Sequence, residues 1–215
     1  MKHRQSSVIA QLGIELHYDT KPTNNIQETK QFTKPKTGLF KMVEISQEPP
    51  ATAPTTAPAP TDDRLVVFTD GACSNNGSAR ARAGYGVVWP HNRALDVSKR
   101  LPGHEQTNNR AEFMALIEAQ AIADSIDPTG QKPLYVYTDS ELLINSITKW
   151  LAGWKSRQWR KSDNKPVLNR DLLQRIDENP RPLVFKHVRA HTGRRDWESL
   201  YNEEADRLAR GAING

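Results

Sequence analysis

Residues 65–75 read LVVFTDGACSN. Leu65, Val66, Val67 and Phe68 form an apolar run without polar alternation, as expected of a strand covered on both faces at the centre of a sheet. Asp70 follows at the carboxyl end of that strand, where an ionised carboxylate beside buried surface is costly unless something neutralises it. A second stretch repeats the arrangement. LYVYTDS (134–140) is a short β-rich run that again ends in Thr-Asp, and it passes straight into an apolar-periodic helix through Leu142, Leu143, Ile144 and Ile147. A strand–helix unit after an earlier sheet implies a crossover, so the two strands are expected to pair in parallel and to deliver Asp70 and Asp139 to one sheet edge. Open α/β sheets bind their ligands there.

Working outward, GYGVVWP (84–90) and ALDVSKRL (94–101) read as two further strands, making an antiparallel meander of three with the first. From Asn109 the period changes: Glu112, Phe113, Leu116, Ile117 and Gln120 recur at three-and-four spacing up to about Ile126, where DPTG stops the helix. A helix around Leu168–Ile176, a strand in PLVFKHV (182–188), the loop RAHTGRRD (189–196) and a last helix carrying Glu203 to Arg210 complete the chain. The expected class is α/β, a mixed five-stranded sheet covered by helices.

The remaining sequence sets bounds. Residues 1–64 hold no sustained helix or strand period, and ATAPTTAPAP (51–60) buries too little to offset its ordering entropy, so residues 1–62 read as a disordered extension with an extended Pro/Ala/Thr linker, and 63–215 as the folded domain. All five tryptophans lie in that domain. The single cysteine, Cys73, excludes an internal disulfide; with no signal region and no apolar stretch of spanning length, the expectation is a protein of a reducing intracellular compartment, cytoplasm first, without a membrane partner. MKHR at the start is basic, but Glu15, Asp19 and Glu28 follow, against a transit peptide, and the initiating methionine reads as the start of a stand-alone chain. Net charge is +5, yet Lys149 to Arg170 alone holds seven basic residues against one acid, a local footprint for a polyanion.

Four acids stand out by placement: Asp70, Asp139, Glu112 in the first turn of the helix opened by TNNRAE, and Asp206 in the last helix. Brought together they would repel one another, and hard divalent cations such as Mg²⁺ or Mn²⁺ are the natural neutraliser; a pair of such ions about 3.5–4 Å apart clamps the attacking and leaving oxygens of an in-line phosphoryl displacement. Structural readings stand beside this one. Asp139 can N-cap the following helix, Glu112 can be the partner of an Asn109 cap, and Asp206 can pair with Arg210 at i,i+4.

FTDGAC, TNNRAE, YTDS and NEEADRLA, in this order and with AHTG before the last helix, resemble type 1 ribonuclease H from about residue 65 to the C-terminus. The resemblance implies the ribonuclease H-like fold and an endonuclease that cuts the RNA strand of an RNA–DNA hybrid, leaving 5′-phosphate and 3′-hydroxyl ends, with two Mg²⁺ ions, Mn²⁺ being the substitute. It implies that Asp70, Glu112, Asp139 and Asp206 bind metal, that His191 of RAHTG assists proton transfer or product release, and that Asn202 lies near the metals. It places Cys73, Asn76, Asn108 and Asn109 along the minor groove, where short polar groups sense 2′-hydroxyls, although asparagine also serves turns and caps.

WLAGWKSRQWRKSDNK (150–165) resembles the basic handle of some family members. Trp150, Trp154 and Trp159 alternate with Lys155, Arg157, Arg160 and Lys161, so flat faces can pack on sugars while cations neutralise phosphates, with at least one tryptophan expected in the core. Three features depart from the family: NNGSARARAGYG (75–86) is a longer, more basic loop, Glu141 adds an acid after Thr-Asp-Ser, and residues 1–60 hold no tryptophan, unlike the hybrid-binding module of some cellular relatives. Beside a monomeric hybrid nuclease, two alternatives are weighed: a non-catalytic hybrid- or duplex-binding module, which four acids beside a phosphate backbone disfavour, and a DNA-processing nuclease of the same superfamily.

Overall fold

The computed structural model describes residues 45–46, 57, 59–190, 193 and 195–214, all within the unit Thr37–Gly215. The meander forms as its apolar alternation predicts: β2 (Leu65–Ser74), β3 (Arg82–Val88) and β4 (Val97–Arg100) pair antiparallel, while β5 (Leu134–Thr138) and β6 (Leu183–His187) add in parallel on the other side of β2. The five expected strands are present, and a sixth, β1 (Ile45–Ser46), pairs parallel with Phe185–Lys186 to give the order β1-β6-β5-β2-β3-β4.

That sixth strand lies inside the expected extension 1–62, most of which is outside the described residues. Where it is described, it is not free of the domain. Ile45–Ser46 occupies the outer edge of β6, whose backbone groups otherwise face solvent, and Ala57 packs against the cluster of Phe68, Val88, Tyr137 and Trp197.

Two helical layers cover the sheet. On one face lies α1 (Asn108–Ile126), whose Ala111, Ala115, Ala119 and Ala123 bring its backbone close while Phe113 and Leu116 fill the core against Val67, Val87 and Val136. A helical stretch runs through α2 (Glu141–Asn145), a π-helical turn (Ser146–Trp150) and α3 (Leu151–Ser156); with α4 (Arg170–Glu178) it adds Leu143, Ile147, Leu151, Leu172 and Ile176 to the same core. On the other face α5 (Trp197–Asn214) packs its Trp197 and Ala205 on Phe68, Val88 and Tyr137. Phe68 and Tyr137 stack at 4.7 Å, with Trp197 edge-on to both.

Two glycines make these approaches possible. A Cβ on Gly71 would run into the backbone of Ala111 and Glu112, so α1 seats its first turn directly on β2; a Cβ on Gly86 would meet the carbonyl of Ala205 and the amide of Ala209, 2.9 Å away. Gly86→Ala is therefore expected to push α5 off β3 and cost about 1–3 kcal/mol, read as a lower urea midpoint at unchanged m-value.

Candidate active site

Asp70 does not end its strand. β2 runs on to Ser74 because β3 continues alongside it, with Asp70 opposite Gly86 and Ser74 opposite Arg82; only the pairing with β5 stops, at Phe68–Tyr137. Extending that parallel register by two residues sets Asp70 beside Asp139, at the notch where β5 turns into α2. The longer strands also shrink the expected long loop to residues 75–81, turned by Asn75 and Gly77 at positive φ.

Helix caps decide two of the structural alternatives. The cap of α1 is Thr107, whose hydroxyl accepts from the Arg110 amide at 3.2 Å, so Glu112 sits on the fifth helical residue, past the reach of a capping box. Likewise Ser140, not Asp139, caps α2, accepting from Leu143 N. Neither carboxylate is consumed by helix chemistry. Asp206 is the contrary case, since Arg210 Nε donates to its Oδ1 at 2.7 Å.

Asp70, Glu112 and Asp139 each offer one carboxylate oxygen, and these oxygens all lie within 4.8 Å of one another. Asp70 and Glu112 are 5% and 4% exposed, whereas Asp139 is partly open. Burial, then the charges of Asp139 and Asp206 and a hydrogen bond with Asp206, pushes the Asp70 carboxyl up to about 8. Glu112 is raised well above the carboxylate range by burial first and the Asp70 charge second, with Asp206 also acting on it. Asp206 therefore faces this cluster, although it is not among the three whose oxygens converge.

Three mutually repelling oxygens in an apolar setting fit a hard divalent cation, and one further feature points the same way: Glu112 Oε2 is buried with no hydrogen-bond partner among the described residues. Asn202 supports the cluster from α5, donating through Nδ2 to Asp139 Oδ2 at 3.2 Å, and its own Oδ1 is buried without a partner among the described residues.

A sequence model of the RNase H family matches residues 62–214. The chain belongs to the RNase H family. It is 45% identical over 152 residues to Ribonuclease H1 of Rattus norvegicus, covering 69% of this chain and 50% of that protein, so the chain spans about half the length of its mammalian relative. It is 37% identical over 156 residues to Ribonuclease H of Francisella tularensis subsp. novicida, covering 70% of this chain and 91% of that protein. Among solved structures, LC11-RNase H1 in complex with an RNA/DNA hybrid superimposes with a TM-score of 0.50 at 25% identity, covering 70% of this chain and 97% of that one.

The remaining expected site residues of this RNase H family member divide into those near the carboxylates and those in residues 150–165, where a basic handle is expected. Asn76 Oδ1 accepts from Asn108 N at 3.4 Å, linking the β2–β3 turn to the start of α1; Asn109 is exposed beside it. Cys73 is half-buried against the core, its thiol directed at the Ser74 and Gln106 carbonyls. His191 lies outside the described residues.

Within residues 150–165 Trp150 is 41% exposed, while Trp154 and Trp159 pack partly on the core, as expected of at least one of them. Trp150 and Trp154 lie 5.6 Å apart, and Arg170 sits over the Trp159 ring. Several cations are engaged within the protein: Lys155 pairs with Asp177 at 2.5 Å, Lys161 with Asp163 at 3.7 Å, Arg157 Nε donates to the Arg160 carbonyl, and an Arg160 NH group to that of Asn164. Ion pairs of this kind, at or near the surface, contribute little to stability. A link that the sequence does not reveal is Arg110, which holds Asp171 at 2.6 Å and Asn169 at 3.3 Å and so ties the first turn of α1 to α4; nothing in the spacing of residues 61 apart announces it.

Proposed function

We propose that this protein is an endonuclease that hydrolyses the RNA strand of RNA–DNA hybrids, leaving 5′-phosphate and 3′-hydroxyl ends. The observation that carries the reading is the convergence of Asp70, Glu112 and Asp139. Family membership and a solved relative that binds an RNA/DNA hybrid support it. Asp70, Glu112 and Asp139, with Asp206 as the fourth carboxylate, would hold two Mg²⁺ ions, which when bound would supply activation of a water and charge neutralisation at the departing 3′-oxygen.

The chain's own part is positional and electrostatic. Burial holds the Asp70 and Glu112 carboxyls apart from bulk water, which strengthens any charge interaction made there. Asn202 fixes the orientation of the Asp139 carboxylate by its hydrogen bond. Arg210 restrains Asp206 at the side of Asp70 and is positioned to release it when a cation competes for the same oxygen. His191 is assigned the proton transfer or product release, work suited to an imidazole side chain. Asn76, Asn108, Asn109 and Cys73 form the wall that meets the 2′-hydroxyls, and Trp150 with the handle cations takes the DNA strand.

A panel of labelled RNA–DNA, RNA–RNA and DNA–DNA duplexes, each in Mg²⁺ and in chelator, tests this. Cleavage confined to the RNA of the hybrid and dependent on metal is expected. Equal cutting of duplex DNA would replace the reading with a DNA nuclease, and metal-independent binding without cleavage would replace it with a binding module. For the handle, alanine at Lys155, Arg157, Arg160 and Lys161 together should weaken hybrid binding. The slope of log affinity against log salt should flatten by up to about 0.9 for each phosphate that the variant no longer neutralises, measured by fluorescence anisotropy. An unchanged slope would return those cations to solvent.

A further inference from the structure

The connection between β2 and β3 carries charge that the carboxylate site does not use. From Gly71 to Leu95 the chain has no acidic residue, with Arg80 in the turn and Arg82 as the first residue of β3. Both are exposed, and among the described residues neither side chain makes an ion pair or a hydrogen bond. Arg64, Arg93, Arg110, Arg181, Arg207 and Arg210, by contrast, each hold a carboxylate. Arg100 of β4 is occupied too. It donates to the carbonyls of Ala212 and Ile213 at 3.3 and 3.4 Å, so the cation that the end of α5 favours is already supplied and Arg82 is not needed there.

Two exposed arginines on a loose loop would be solvated surface, but this turn is ordered by its own bonds. Ser78 N donates to the Asn75 carbonyl at 3.0 Å, Ala81 N to the Ser78 carbonyl at 3.1 Å and Arg80 N to the Ser78 hydroxyl at 3.1 Å, while Ser74 Oγ donates to the Arg82 carbonyl at 3.3 Å. Asn76 joins the turn to α1 by accepting from the Asn108 amide. Guanidinium groups carried on a backbone already fixed lose less freedom when they bind, so more of a phosphate contact survives as affinity. Arg82 lies opposite Ser74, four residues along β2 from Asp70. That is roughly 13 Å at the rise of a strand, the length of about four base pairs of a duplex.

We propose that Arg80 and Arg82 form a second phosphate contact with the hybrid, on its RNA strand and about four base pairs from the scissile bond. This rests on the hybrid-cleaving function proposed above. Asn76 decides the strand: it belongs to the same turn as Arg80 and to the wall assigned to the 2′-hydroxyls, so the strand that runs past Asn76 and Asn108 brings its phosphates to Arg80. With the DNA strand taken by the basic segment 150–165, each backbone has its own cationic patch. Arginine suits the task because its fork meets two phosphate oxygens at once.

The test compares the full chain with Arg80→Ala/Arg82→Ala, which should melt within about two degrees of wild type because neither side chain is engaged in the fold. Binding is followed by fluorescence anisotropy in chelator, on a short hybrid whose single cut in Mg²⁺ has been mapped. On going from 200 to 50 mM salt, the ratio of variant to wild-type Kd should grow about threefold for each phosphate no longer neutralised, and so about tenfold for two. The strand is read from hybrids with one uncharged methylphosphonate linkage. In the RNA strand that linkage is built on a single 2′-deoxynucleotide, and the same deoxynucleotide with an ordinary phosphate is the control. Placed in the RNA about three to five base pairs from the cut, it should weaken wild-type binding about threefold and leave the variant unchanged. An unaltered salt dependence in folded variant overturns the contact, and so does a variant whose insensitivity is confined to linkages in the DNA strand. Wild-type protein that neither prefers the hybrid to duplex DNA nor cuts it would remove the proposed function and this contact with it, a result distinct from a variant that matches an active wild type.

Discussion

Asp70→Asn should abolish hybrid cleavage in Mg²⁺ while making the metal-free protein more stable. Both effects come from one physical fact. Asp70 is 5% exposed and shares its surroundings with Glu112, Asp139 and Asp206, so in the absence of a cation its charged form is disfavoured and its carboxyl rises to about 8. Asparagine keeps the shape and removes the charge. Metal stabilisation of the transition state is worth several kcal/mol, and losing about 4 kcal/mol of it corresponds to roughly 10³-fold in rate, so activity should fall by at least that factor. Hybrid affinity in chelator should hold or tighten, because one negative charge beside the phosphates is gone.

The stability effect has a definite sign with pH. A carboxyl that holds its proton more tightly when folded than when unfolded stabilises the fold at low pH, and that contribution is lost as pH rises from the ordinary carboxylate range through about 8. Wild-type protein in chelator should therefore melt at progressively lower temperature across that window. Mg²⁺ should restore the lost degrees. In Asp70→Asn the slope should shrink without vanishing, since Glu112 is raised in the same direction by its own burial. The gain at pH 8 is on the order of 1–3 kcal/mol, a rise of several degrees in melting temperature. A variant that still cleaves at the wild-type rate, or that melts lower than wild type in chelator at pH 8, would contradict the placement of Asp70 among the carboxylates.

The strings around Asp70 and Asp139 are legible because they are local: an apolar run, a polar stop, and a periodic helix each act within a few residues. From them the parallel pairing of β2 with β5 and the meander follow, and so does the arrival of both aspartates at one edge. Boundaries are less legible for a tertiary reason. Asp70 reads as a strand end from its own residues, but β3 on the far side holds β2 straight for four residues more. The caps differ from expectation because Thr107 and Asn109, or Asp139 and Ser140, are equally good capping residues by type, and the helix starts that choose between them are set by where the strands deliver the chain. Ile45–Ser46 carries no strand signal of its own, since two residues cannot alternate; its pairing is decided by the open edge of β6. That Glu112 rather than a neighbour faces Asp70 follows from Gly71, which lets α1 sit on β2 at that turn.

Arg181 is invisible in the sequence for the same reason, and its removal should produce the largest loss of stability outside the carboxylates. The side chain is 1% exposed, an unusual position for a guanidinium. Its five N–H donors meet five acceptors: Nε reaches Asp124 at 2.9 Å, one NH₂ group reaches Asp127 Oδ2 at 2.9 Å and the Lys132 carbonyl at 2.8 Å, and the other reaches the carbonyls of Ala123 at 3.2 Å and Asp127 at 2.6 Å. Two of those carbonyls belong to the end of α1, which has no glycine cap, so Arg181 closes the helix that carries Glu112 and joins it to the turn before β5 and the approach to β6. Arg181→Ala leaves a void and two carboxylates without their shared cation, and it takes one donor from each of three carbonyls, of which Ala123 keeps the Asp127 amide and Asp127 keeps the Gly130 amide. Breaking a buried, hydrogen-bonded charge pair costs about 3–5 kcal/mol, or roughly 6–20 °C for a domain of this size. Arg181→Lys restores charge but not the five-donor fork, and should recover only part of the loss. Because α1 is anchored at its other end by Thr107 and by the Arg110 pair with Asp171, cleavage of a hybrid well below the lowered melting temperature should stay within a few-fold of wild type, which separates this residue from the carboxylates in a single pair of measurements. A drop of only a degree or two on Arg181→Ala would mean that water can take over the five acceptors and that the end of α1 is held by its apolar packing alone.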